Sequence, residues 1–255
     1  MQWFFSLAPF VQALFASLFM YTMTALGAAC VFFSKKPNAH LLTAFNGAAA
    51  GIMVAASFFS LLNPALEYEG ALPSYLTVTL GFLLGGLFIV LSDKFLSHSR
   101  KRAERGVRGN LLYLAVTLHN VPEGLAVGVA FALSLGGADA GAAALLLAFG
   151  IAIQNFPEGL CVAFPLRNRD IPPAKCFFLA QASGLVEIPA CVLGALAASV
   201  IKGLLPWALS FSAGAMIAVV CAELIPECFS GNKTVASVGV VVGFCLMMIL
   251  DVALG

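Results

Sequence analysis

Charge is what this chain has least of. Only 10% of its 255 residues are Asp, Glu, Lys or Arg, against roughly 25% in a soluble domain. Hydrophobic residues make up 61% and mean hydropathy is +1.00. That excludes a soluble globular domain unless most of the surface is hidden in lipid. The formal net charge of +1 leaves no global field to attract nucleic acid. The seven cysteines, Cys30, Cys161, Cys176, Cys191, Cys221, Cys228 and Cys245, contain no C-x-x-C pair. A closed thiolate zinc site and a disulfide framework are therefore disfavoured, and the cysteines are expected to act as small buried hydrophobes. No His-Glu-x-x-His is present, so the signature of a helical zinc hydrolase is missing. The first apolar run lacks a basic region before it and a small-residue cleavage site after it. It is expected as a retained helix and not a signal peptide.

What the chain has is long continuous apolar runs. A membrane span needs about 20 such residues, and the sequence predicts eight of them, near 8–33, 40–63, 73–96, 111–134, 141–166, 174–200, 206–229 and 234–254. The runs do not alternate as barrel strands do. The expected fold is an all-α integral membrane protein, a single transmembrane domain over 1–255 with the lipid bilayer as its solvent. Small residues, including 24 Gly, let such helices approach closely. With both termini outside, every Lys and Arg except Lys202 falls on the inner side, as the positive-inside rule requires. The basic loop 97–110 is then cytoplasmic and expected to be flexible. Breaks are expected at Asn63-Pro64 through Pro73, at Arg167 through Pro173 and at Lys202 through Pro206. Glu67 lies at the outer mouth, where acidic residues would concentrate cations. Asn46, Ser57, Gln181 and Asp251 are expected to hydrogen-bond between helices.

Two stretches inside these runs nearly repeat one another. Residues 119–125 read His-Asn-Val-Pro-Glu-Gly-Leu, and residues 154–160 read Gln-Asn-Phe-Pro-Glu-Gly-Leu. Ionisable residues in hydrocarbon are costly and mark function by default. On a helix, positions three and four apart share a face. His119 and Asn120 therefore share a stripe with Glu123, and Gln154 and Asn155 share one with Glu158. If the two helices face one another, His119 and Gln154 form one layer of ligands and Asn120 and Asn155 the next. Both glutamates reach both layers, and a carboxylate can bridge two cations. Pro122 and Pro157 each remove a helical hydrogen bond, freeing the carbonyls of Leu118 and Ile153. Imidazole with carboxylate and amide oxygen is a mixed, exchangeable set for a divalent transition metal.

These residues resemble the ZIP family of divalent metal transporters. His-Asn-x-Pro-Glu-Gly in the fourth span and Gln-Asn-x-Pro-Glu-Gly in the fifth look like its signature. The second-span run Ala-Gly-Ile-Met-Val-Ala-Ala-Ser is most similar to the GufA-like branch and its prokaryotic members. The resemblance implies zinc uptake into the cytosol across the plasma membrane, or the inner membrane of a bacterium. It implies a binuclear site between the fourth and fifth helices that can take two zinc ions, with cadmium, manganese or iron as other cargo. One position would use His119, Glu123, Gln154 and Glu158, with Met53 nearby. The other would use Asn120, Glu123, Asn155 and Glu158, with Glu187 of the sixth span. Asn155 departs from relatives that carry Asp there. Glu223 resembles a position near the inner exit. A homodimer is compatible with the chain, although no interface is legible. The rivals are an intramembrane metalloenzyme, a proton or organic-cation transporter using the carboxylates alone, and a metal sensor. None explains the paired His-Asn and Gln-Asn, and nothing in the chain supplies an output domain.

Overall fold

A computed structural model describes residues 2–33, 38–68, 72–102, 117, 120–132, 138–167, 171–200 and 202–254. The architecture of these residues is helical throughout, and seven of the helices are long and apolar enough to cross a membrane. A short helix, Gln2–Phe5, precedes α1 (Pro9–Ala29). Helix α2 (Ala39–Ala56) begins with Asn38 as N-cap, whose side-chain oxygen accepts from the backbone of His40 and Leu41. Such a cap satisfies amides that the first turn leaves without partners. Helix α3 spans Ser74–Arg102, running past the residue 96 expected as its end and into the basic loop 97–110. The remainder of that loop lies outside the described residues. So does most of the fourth expected span, of which 120–132 is seen as α4.

Prolines set the local geometry of several of these helices. Helix α5 (Ala138–Arg167) carries the second motif, and its helical course is uninterrupted across Pro157. The sixth expected span is divided. Helix α6 (Pro173–Gly184) ends, Leu185 and Val186 form a turn, and α7 (Glu187–Val200) begins. Pro189 lacks the N–H that would close a helical bond to Leu185 four residues back. The ladder restarts with Ala190 donating to Val186 O at 3.2 Å. The expected span near 174–200 is matched by a candidate span over Pro173–Ala198, with this turn inside it.

Prolines in the second and seventh spans are absorbed differently. After α2 the chain widens into a π-helical segment, Ser57–Leu62, then resumes as Asn63–Glu67. After α8 (Leu205–Val219) it does the same over Val220–Leu224, then Ile225–Phe229. In each case the residue before the proline donates five residues back, Asn63 to Phe58 O and Ile225 to Val220 O. The wider turn moves the proline ring clear of the carbonyl it would strike in an α-helix. Helix thus continues past Asn63-Pro64 to Glu67, and the chain leaves it within the expected break, at Tyr68 and again at Leu72-Pro73, before α3. Helix α9 (Lys233–Leu254) closes the described chain.

Packing falls into two groups. Helix α1 contacts α5, α6 and α7, and α5 contacts α6; α2 packs with α9 and α3 with α8, and α2 also meets α5. Small residues permit these approaches. A Cβ at Gly27 would meet the Phe156 carbonyl, and one at Gly85 would meet that of Phe211. Helices α3 and α9 present Leu80, Leu83, Leu84, Leu87 and Leu91, and Val238, Val241, Val242 and Ile249, on exposed stripes. At three- and four-residue spacing, each stripe is one lipid-facing side of a helix. Cys176, Cys191 and Cys228 are buried as expected, whereas Cys221 and Cys245 are exposed. Tyr21 of α1 donates to Gln181 of α6, and Ser60 donates to Asp251 of α9 at 2.6 Å. Asn46 pairs with Glu227. Ser57 departs from expectation, donating to Met53 O of its own helix at 2.7 Å.

Candidate metal centre

The two motifs, on α4 and α5, come together where α4 meets α7 and α5 meets α1. Asn120, Glu123, Gln154, Asn155 and Glu187 are all at most 2% exposed. Glu158 is partly buried. Each motif's glycine explains how the backbones come close. A Cβ at Gly124 would lie 2.6 Å from the Glu187 carbonyl, and one at Gly159 would meet the Thr24 carbonyl of α1. Gly124 thus brings α4 against the start of α7, where the break after Gly184 delivers Glu187 at a helix N-terminus. That end of a helix favours a negative charge.

Glu187 is the most heavily bonded group of the set. Asn155 Nδ2 donates to its Oε1 at 3.0 Å and its Oε2 at 2.8 Å. Asn120 Nδ2 donates to Oε1 at 3.2 Å and to the Ser183 carbonyl at 3.2 Å. Gln154 Nε2 donates to Asn155 Oδ1 at 2.7 Å. Gln154 also lies within hydrogen-bonding reach of Glu123, and Asn120 within reach of Glu158. Glu123 interacts electrostatically with both Glu158 and Glu187, and Glu158 with Glu223.

Three buried oxygens of the motifs have no hydrogen-bond partner: Asn120 Oδ1, Glu123 Oε2 and Glu158 Oε1. Among the described residues, the other unpartnered buried side-chain atoms, Gln12 Oε1, Arg167 Nε and Ser212 Oγ, belong to residues outside the motifs. Buried polar atoms are ordinarily satisfied, and each exception calls for an explanation. Oxygens alone, two of them from carboxylates, are donors that suit a divalent cation.

Of the residues the sequence put forward, the structure brings together Asn120, Glu123, Gln154, Asn155, Glu158 and Glu187. Met53 is buried in the apolar cluster that includes Ala126, Val127, Ile151 and Ala152, residues of the helices that carry the motifs. His119 lies outside the described residues. Among the described residues, no three of His, Cys, Asp and Glu stand together as a ready metal cage. Sequence reasoning missed the Ser183 carbonyl and the helix break that frees it. The signal was there in Pro189, two residues past Glu187.

Known proteins resemble this chain over nearly its whole length. The family model described as ZIP Zinc transporter matches residues 98–251. Zinc transporter ZIPB of Bordetella bronchiseptica is 40% identical, the match covering 92% of this chain and 79% of that protein. Zinc transporter GufA of Myxococcus xanthus is 38% identical over 95% of this chain and 98% of its own. Human zinc transporter ZIP11 is 35% identical, with 96% and 97% covered.

The geometry makes Asn155 and Glu187 an energetically coupled pair. Hydrogen bonds to charged groups contribute about 1.5–3 kcal/mol. In a double-mutant cycle of Asn155→Leu and Glu187→Leu, followed by denaturation in detergent, a coupling of about that size is expected. Additive losses would contradict it.

Proposed function

The chain belongs to the ZIP family of zinc transporters, and we propose that it carries zinc across a membrane into the cytosol through a site built by its two Asn-x-Pro-Glu-Gly helices. The family is one of transport proteins and not of enzymes. Zinc is the substrate here. The observation that carries the reading is the convergence of unpartnered buried oxygens on the twin motifs. Glu123 and Glu158 supply two negative charges, which match a divalent ion in a medium that screens charge poorly. Gln154 and His119 add neutral donors, and imidazole favours zinc over harder ions. Met53 of α2, packed among Ala126, Val127, Ile151 and Ala152, would add a thioether on that side. Beside this position, Asn120 and Asn155 donate to Glu187.

An oxygen-rich set releases its ion more readily than a cage of thiolates would, and a transported ion must leave. Glu223, coupled to Glu158, offers the next carboxylate on the way to the inner side. In this reading 111–134 completes eight spans, with both termini outside and the basic stretch 97–110 in the cytosol. Cadmium, manganese and iron are candidate cargo besides zinc.

Two measurements test the proposal. In proteoliposomes, zinc is expected to enter first among a panel of divalent ions. His119→Ala is expected to lower the initial rate at subsaturating zinc by about tenfold or more, the scale on which loss of a ligand contact acts. Equal uptake by wild type and variant would refute the ligand assignment. For orientation, a single cysteine placed in 103–110 is expected to resist a membrane-impermeant thiol reagent added to intact cells. Labelling from outside would invert the topology.

A further inference from the structure

The twin motifs offer two layers of ligands, yet the donors in the two layers are not in the same condition. Glu123 Oε2 and Glu158 Oε1, from the carboxylates that both layers share, are buried and unpartnered. Among the residues particular to the second layer, both oxygens of Glu187 already accept amide N–H groups, and Asn155 Oδ1 already accepts from Gln154. Of that group, Asn120 Oδ1 alone lacks a partner.

The amide orientations are set by their partners. Asn120 Nδ2 faces the Ser183 carbonyl, which can only accept, so its nitrogen points that way and toward Glu187. If Asn155 were turned about, its oxygen would face the two carboxylate oxygens of Glu187, acceptor against acceptor. Its nitrogen therefore faces Glu187, and its oxygen is left for the Gln154 N–H. Gln154 thus fixes Asn155, and Asn155 holds Glu187 at both oxygens.

We propose that Asn155 and Asn120 clasp Glu187 as a hydrogen-bonded strut, so that the site holds one divalent cation per chain and not two. This rests on the reading of the motifs as the zinc-transport site. Charge supports it. One divalent ion is matched by Glu123 and Glu158, while Glu187 is answered by amide donors and the start of α7. A second ion beside Glu187 would set two positive charges against that one carboxylate and uncharged amides. Surplus buried charge is costly. The strut also ties α4 and α5 to the break in the sixth span, so Asn155 is a positioning residue that acts through Glu187. Replacing Asn155 with Asp would remove the donors, add a negative charge and open the second layer to an ion.

The test is zinc stoichiometry on the purified full-length chain in detergent. The protein is stripped with chelator and equilibrated with zinc alone, and bound zinc is measured by mass spectrometry of the metal. One zinc per chain is expected for the wild type and two for Asn155→Asp. Two in the wild type, or one in both, would overturn the proposal. None in the wild type would instead overturn the functional reading on which it rests. Glu187→Gln keeps the assay decisive should Asn155→Asp fail to fold. It is expected to retain one zinc with a Kd within about threefold of wild type. A loss of affinity beyond about tenfold would make Glu187 a direct ligand and overturn the strut.

Discussion

A carboxylate buried in an apolar bundle must be answered by donors or by a cation, and the arrangement around the twin motifs reflects how each glutamate is answered. Glu187 is met by three amide contacts and a helix N-terminus. Glu123 and Glu158 each keep one buried oxygen without a partner. Unsatisfied groups of that kind persist in a folded chain where something else is to satisfy them. The proposed zinc position is therefore the part of the network that the protein leaves incomplete.

The same constraint reaches outward into the packing. Glu187 can meet the amides only because α4 comes within side-chain-free distance of α7 at Gly124, and because the sixth span breaks after Gly184. Across the second motif, Gly159 lets α5 settle against Thr24 of α1. Elsewhere prolines bend the ladder without opening it. The π-helical turns before Pro64 and Pro226 keep the displaced donors within their own helix, which hydrocarbon requires. Such wide turns are frequent at functional sites, and one of them carries Glu223.

Much of this was legible in the sequence. Composition alone excluded a soluble domain, and the spacing of Asn120 and Glu123 against Gln154, Asn155 and Glu158 pointed to the motif residues that come together. The departures in helix course have one cause. Sequence patterns locate prolines but do not say how each is accommodated. Pro157 is passed within a continuous helix, Pro64 and Pro226 are taken up by π-helical turns, and Pro189 breaks its span. Those outcomes depend on which neighbours can supply donors to freed carbonyls, and that is a tertiary property. The Asn120–Ser183 contact was hidden for this reason. Ser57 is similar: from sequence alone, nothing distinguishes a serine that bonds its own helix from one that bonds another.

The central claim is that Glu123 and Glu158 together hold the transported zinc. The most direct measurement is titration calorimetry of zinc into the purified Glu123→Gln/Glu158→Gln variant beside the wild type. The substitutions preserve size and hydrogen-bonding capacity while removing both charges. The account predicts a binding isotherm for the wild type and none for the variant, with both proteins folded by circular dichroism. Undiminished zinc binding by the folded double variant would contradict it.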